Sequence, residues 1–296
     1  ICINLTGEMA ANYEEQEESP IYENINFYEN PMVKDERYHT PEEALKVLFG
    51  YDAFRPSQKN VIDSILSGRD TVVVMPTGAG KSVCYQIPAM LLPGITLVVS
   101  PLISLMQDQV KALNEAGIPA AFLNSSLSAN AFHETVRKAG QGAYKIIYVA
   151  PERLVTDGFL DFARNVQISM VTVDEAHCIS QWGQDFRPSY RKIVEFVKML
   201  KERPIISAFT ATATENVRED IVCILGLNNP QIFITGFDRE NLFFQVDKPK
   251  NKDQYIMDYI AEHPEDSGII YCATRKNVDS LYDLLKSRGI SAAKYH

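Results

Sequence analysis

Two short stretches of this chain hold the residue types that phosphate chemistry requires. The first, Pro76-Thr77-Gly78-Ala79-Gly80-Lys81-Ser82, follows a β-branched run and precedes a helical pattern. A strand, a glycine-bearing turn and a helix N-terminus together make a nest of backbone N–H groups aimed at an anion. Gly78 and Gly80 let the backbone approach phosphate closely, and Thr77 and Ala79 complete the loop between them and the strand. Lys81 supplies a point charge for the β- and γ-phosphates of a nucleotide, and the Ser82 hydroxyl is a ligand for Mg²⁺. The strict form of the motif has a further glycine where Met75 stands here.

The second stretch, Asp174-Glu175-Ala176-His177, closes an apolar run over 168–173. In open α/β sheets ligands bind beyond the carboxyl ends of the strands, so this tetrad and the phosphate loop are expected to share one crevice. Asp174 is then placed to hold Mg²⁺ through water. Glu175 is placed to orient and deprotonate an attacking water, and His177 to sense the γ-phosphate and relay its presence to Thr210 or Thr212.

The elements that must position these groups are legible as an alternation. β-branched or apolar runs at 71–75, 95–100, 145–150, 168–174, 205–210, 231–237 and 268–272 are separated by amphipathic helical stretches. Apolar runs without strict alternation are what strands buried on both faces require, and their alternation with helices predicts a parallel α/β sheet. Thr40-Pro41-Glu42-Glu43 carries an N-cap, a first-position proline and an acidic first turn ahead of Ala44, Leu45 and Leu48, so a helix begins there. Near 245–252 the chain turns polar around Pro249. Beyond it we expect a helix at 253–262, a strand at 268–272, a helix at 275–287 and the start of a strand at Ser291. That is too little chain for a core of ordinary size.

Composition narrows the class further. With 296 residues, 46% hydrophobic and 23% charged, the chain can fill a sizeable core, and no apolar run approaches the ~20 residues of a membrane-spanning helix. The net charge of −9 is uneven: residues 1–40 hold nine acids against two bases, leaving only −2 for 41–296. A near-neutral body can still present a basic groove to nucleic acid. Residues 1–40 lack periodicity and are expected to form a disordered acidic leader. Five cysteines, widely spread and with no C-x-x-C, spell neither a disulfide framework nor a four-cysteine zinc site and point to a reducing compartment. The chain opens on Ile1, with Met9 as an alternative start.

In this order the motifs resemble those of superfamily 2 helicases, and more closely the RecQ family of DNA helicases, over residues 41–296. Phe54-Arg55-Pro56-Ser57-Gln58 is similar to the family's element upstream of the phosphate loop. Ser100-Pro101-Leu102-Ile103-Ser104-Leu105-Met106-Gln107-Asp108-Gln109 is similar to motif Ia, Phe209-Thr210-Ala211-Thr212-Ala213-Thr214 to motif III, and Gly268-Ile269-Ile270-Tyr271-Cys272-Ala273-Thr274-Arg275 to the start of motif IV. The most discriminating stretch is Cys178-Ile179-Ser180-Gln181-Trp182-Gly183-Gln184-Asp185-Phe186-Arg187-Pro188-Ser189-Tyr190, which resembles the aromatic-rich loop of RecQ enzymes. Two positions depart from the family: Gln184 stands where histidine is frequent, and Glu240 where proline is usual.

The resemblance implies a RecA-like parallel sheet flanked by helices, as in P-loop NTPases, over 41–246, followed by the beginning of a second RecA-like lobe over 247–296. It implies that Tyr51 and Arg55 stack on adenine, that Gln58 selects ATP by its edge, and that Trp182, Phe186 and Arg187 touch single-stranded DNA. Aromatic and guanidinium planes stack on any base, so such contacts tolerate sequence. The implied activity is ATP- and Mg²⁺-dependent 3′-to-5′ unwinding of DNA, on single-stranded and partially duplex substrates, in the bacterial cytoplasm or a eukaryotic nucleus. Motifs V and VI of the family fall beyond His296, so the 296 residues are expected to unwind little alone. Two other readings stand beside it: an RNA-dependent ATPase of the same superfamily, and a non-catalytic fragment that binds ATP or DNA.

Overall fold

The computed structural model describes residues 37–183, 185–236 and 242–296; the leader up to residue 36 and the departures at Gln184 and Glu240 lie outside them. These residues form two compact units, one up to residue 236 and the other from 242.

In chain order the first unit holds α1 (Pro41–Phe49), α2 (Gln58–Leu66), β1 (Thr71–Val74), α3 (Lys81–Leu91), β2 (Ile95–Val99), α4 (Ile103–Glu115) and β3 (Ala120–Leu123). It continues with α5 (Ala129–Gly140), β4 (Ile146–Val149), α6 (Asp157–Arg164), β5 (Ile168–Val173), α7 (Lys192–Met199), β6 (Ile205–Thr210), α8 (Glu215–Leu225) and β7 (Gln231–Ile234). The seven strands form one sheet in the order β3-β4-β2-β5-β6-β1-β7. All its pairings are parallel. Every strand therefore ends on the same edge, as the expected α/β architecture requires.

Alternation along the strands sorts the core into two layers. Val73, Val98, Tyr148, Met170 and Phe209 face a cluster built with α1 to α4. Val72, Leu97, Ile147, Val171 and Ala208 face the opposite cluster, built with α5 to α8. Burial on both faces explains why the runs read as continuously apolar. α1 starts with the expected capping box: Thr40 Oγ1 accepts from Glu43 N at 3.2 Å and Glu43 Oε2 from Thr40 N at 3.1 Å. Tyr38, placed by composition in the leader, is buried in this core instead.

At the opposite edge of the sheet the buried Asp70 carboxylate gathers three elements. It accepts from Arg203 Nη2 at 2.6 Å, from Ile206 N in β6 at 2.9 Å and from Asn228 N ahead of β7 at 2.7 Å. This knot aligns the starts of β1, β6 and β7, and so the ends that carry the site.

Two expectations fail. β3 was not expected: its Ala120-Ala121-Phe122-Leu123 has little β-branched character, and pairing to β4 at the sheet edge makes it a strand. In the second unit α9 (Lys252–Glu262) and α10 (Arg275–Ser287) form where helices were expected. The runs at 268–272 and from Ser291 are not strands. Ile269 and Tyr271 are each 80% exposed, and no described residue of that unit offers a ladder to pair with. A β-rich sequence becomes a strand only when another strand satisfies its backbone.

Candidate functional site

The phosphate loop joins β1 to α3, and the acidic tetrad follows β5. β6 lies between those two strands, so its end at Thr210 bridges them: Met75 N donates to Thr210 O at 3.1 Å. Gly78 and Gly80 take φ of +83° and +85°, a left-handed conformation open to glycine at little strain. Gly80 caps α3, leaving the first N–H groups of that helix facing the loop. Lys81 Nζ donates to Met75 O at 3.0 Å, so the lysine closes the loop on the residue that replaces the motif's first glycine.

A cleft of about 420 Å³ runs beside the loop. Its lining includes Tyr51, Arg55, Gln58, Thr77, Gly78, Gly80, Lys81, Ser82, Asp174 and Glu175, so most sequence-expected nucleotide residues converge. Ala79 does not line it; its side chain packs against the core cluster of α1 to α4. Gln109 on α4 and Leu45 on α1 also line it. Gln109 sits in the stretch similar to motif Ia but had no role assigned, because only the turn of α4 shows which of its glutamines points inward.

Tyr51 is 56% exposed at the cleft, as a stacking surface must be. Gln58 is only 4% exposed, and its amide is engaged at both ends. Its Oε1 accepts from Arg55 N at 2.8 Å and its Nε2 donates to Gly80 O at 3.0 Å. The Arg55 guanidinium donates to Gly78 O. Both residues therefore hold the glycine-bearing loop itself, and the segment upstream of α2 is bound to the loop that leads into α3.

Among the described residues, three non-glycines take positive φ: Ser57, Glu175 and Asn229. Glu175, at +48°, stores backbone strain at the cleft. Burial pushes the Asp174 carboxyl up to about 6, and the neighbouring Glu175 charge adds to the rise; the Glu175 N–H, 3.0 Å from Asp174 Oδ1, and Lys81 oppose it. A divalent cation would reverse that preference. Among the described residues no three His, Cys, Asp or Glu converge as a cage. One carboxylate and one hydroxyl, with the remaining positions left to water and phosphate oxygens, suit Mg²⁺. Asp174 and Ser82, which line the cleft together, fit that ion.

His177 stands beside the cleft. Its Nδ1 lies 2.8 Å from Thr210 Oγ1 and 3.3 Å from Glu175 Oε2. Thr210 Oγ1 in turn donates to Thr212 O at 3.0 Å. Of the two threonines expected to receive the relay, Thr210 makes the direct contact.

The loop after the tetrad is anchored at its end, where Tyr190 Oη donates to Asp174 O at 2.8 Å. Trp182 is 77% exposed. Phe186 is half-buried, with the Arg191 guanidinium 5.8 Å from its ring centroid. Arg187 is engaged: its Nη2 pairs with Asp185 at 2.8 Å and its Nη1 donates to Pro101 O at 3.0 Å, tying the loop to the segment ahead of α4.

The sequence model of the DEAD/DEAH box helicases matches residues 55–220. The chain is 46% identical over 259 residues to the ATP-dependent DNA helicase RecQ of Bacillus subtilis, covering 87% of this chain and 44% of that protein. It is 42% identical over 273 residues to the protein of the same name from Pasteurella multocida, covering 92% and 42%. The chain thus spans less than half the length of these relatives. The crystal structure of the DUF1998 helicase MrfA shares the fold, with a TM-score of 0.65 at 18% identity over 89% of this chain and 43% of that one.

Proposed function

Because this chain belongs to the DEAD/DEAH box helicase family, we propose that it binds Mg·ATP in the cleft beside Lys81 and couples its hydrolysis to single-stranded DNA, as the ATP-binding portion of a RecQ-type 3′-to-5′ DNA helicase. One observation carries the reading: the phosphate loop, Asp174 and Glu175 line a single cleft, and the chain leaving that cleft presents Trp182 to solvent.

The residues divide the work. N–H groups at the start of α3 cradle phosphate oxygens, and Lys81 exchanges Met75 O for the β- and γ-phosphates. Ser82 and Asp174 hold Mg²⁺, which when bound neutralises charge on the phosphate oxygens. Glu175 orients the attacking water and takes its proton. His177, in contact with both Glu175 and Thr210, links the state of the cleft to the end of β6. Tyr51 stacks on the base, while Gln58 and Arg55 exchange contacts between the loop and the nucleotide. Trp182 and Phe186 offer stacking planes to successive bases, and Arg187 reaches the strand on leaving Asp185.

The test is nucleotide turnover and oligonucleotide binding by this chain. Mg·ATP should bind, and a single-stranded DNA should quench Trp182 and raise turnover more than an RNA of the same sequence. Trp182→Ala should lose most of the DNA response. Failure to bind Mg·ATP, or stronger stimulation by RNA than by DNA, overturns the reading.

A further inference from the structure

Ser180 is fully buried where the short helical turn after Glu175 ends. Its Oγ donates to Asp220 Oδ2 on α8 at 2.6 Å and accepts from Trp182 N at 3.1 Å. One hydroxyl thus joins a helix on the far side of β6 to the backbone of the exposed tryptophan. The turn is tight besides. Gly183 N donates to Ser180 O at 3.0 Å, and the Gly183 α-carbon lies so close to the His177 carbonyl that a β-carbon has no room.

The other end of this short segment is held by the same piece of chain. His177 meets Thr210 at the end of β6, and Thr214 caps α8, its hydroxyl accepting from Val217 N. The segment from His177 to Trp182 is therefore pinned twice, at His177 by Thr210 at the end of β6 and at Ser180 by Asp220 within α8. The first contact belongs to the nucleotide cleft. The second lies outside the cleft and meets the exposed aromatic only at its backbone N–H, and a carboxylate acceptor makes it the stronger type of hydrogen bond.

We propose that Asp220 is a positioning residue for the nucleic-acid response: through Ser180 it holds the Trp182 loop in register with the His177–Thr210 contact, so that a strand stacking on Trp182 is felt at β6 and the cleft. This rests on the reading of Trp182 as a DNA contact. Without the Asp220 tether, Trp182 keeps its exposure but loses its fixed geometry. Binding then has to order the loop first, and affinity falls by that amount.

Trp182 is the only tryptophan in the chain, so its fluorescence reports the loop directly. The experiment compares the parent chain with Asp220→Ala, Ser180→Ala, the double variant and Asp220→Asn, which keeps an acceptor oxygen. In Asp220→Ala and Ser180→Ala the Trp182 anisotropy should fall, and the dissociation constant for a single-stranded oligonucleotide should rise about tenfold, the scale of one charge-assisted hydrogen bond. Mg·ATP affinity should stay as in the parent. The double variant should be no worse than Ser180→Ala, which cuts the bond to Asp220 and also removes the acceptor of Trp182 N, and Asp220→Asn should recover most of the loss of Asp220→Ala. If Asp220→Ala does not fold, Ser180→Ala carries the comparison from the other side of the bond. Parent-like anisotropy and DNA affinity in the alanine variants overturn the tether while leaving the DNA reading intact. So does a loss of thermal stability and nucleotide affinity with no separate effect on DNA. A parent chain whose Trp182 ignores DNA overturns the DNA reading itself, and this proposal with it.

Discussion

Lys81 and Glu175 line the same cleft and have different proposed roles there, so their substitutions should separate binding from turnover. Lys81→Ala removes the point charge aimed at the phosphates and should abolish Mg·ATP binding in a calorimetric titration. Glu175→Gln keeps the shape, holds nucleotide and should slow turnover by about 10²–10⁴-fold, the range of a lost general base. Turnover that survives in Glu175→Gln would remove Glu175 from that role. The cysteines give a pH-dependent readout of the same scale. Burial pushes the thiols of Cys84 and Cys178 up to about 12, whereas Cys223 is exposed. Only the thiolate reacts, so at pH 8 Cys223 should alkylate first among the described cysteines, with Cys84 and Cys178 labelled only after denaturant. Rapid native labelling of Cys84, read by peptide mass mapping, would contradict the packing around α3.

At the scale of elements, the site exists because β1, β5 and β6 stop at one edge. Asp70 secures the opposite edge, and its removal leaves the Ile206 and Asn228 N–H groups without their acceptor, while Arg203 keeps its bonds to Pro204 O and Gly226 O. Asp70→Ala should therefore cost about 3–5 kcal/mol, the scale of two donors left without an acceptor. For a unit of this size that lowers the melting temperature by roughly 6–20 °C. A melting temperature within a degree or two of the parent would show the knot to be ornamental. The elements were legible in the sequence to the extent that their own composition decides them. The strands at 71–74, 168–173 and 205–210 are β-branched or apolar apart from Ser169 and Ser207, and α1 carries its capping box in Thr40 and Glu43. β3 was not legible, because alanines become a strand only through a neighbour, and 268–272 misled for the converse reason.

For the whole molecule, the two units differ in how much they bury. The unit up to residue 236 has an apolar layer on each face of its sheet. In the unit from 242 onward α9 buries none of its residues and α10 buries only Leu281 and Leu285. Protection from exchange follows buried, cooperative structure. Amides of α9 should exchange orders of magnitude faster than those of β2 and β5 in a deuterium-exchange time course. Equal protection would mean that α9 is covered in solution. Since the chain spans less than half the length of the RecQ proteins it resembles, the same time course on a longer polypeptide would show what that unit gains from further chain.

The sequence by itself determined which residues the cleft gathers at the strand ends. Strand, glycine turn, lysine and serine in immediate succession must bring the first N–H groups of a helix to a strand end, and two acids closing a buried run must emerge at one. These are local relations, set by backbone geometry within a few residues. What only the tertiary structure decided are relations between distant residues. That Gln58 spends its amide on Arg55 and Gly80, that Arg187 is held by Asp185 and Pro101, and that Ser180 reaches Asp220 all depend on which helices the sheet brings side by side. No periodicity encodes such pairs, because a hydrogen bond across the fold is specified by the position of the strands and not by the spacing of its partners along the chain.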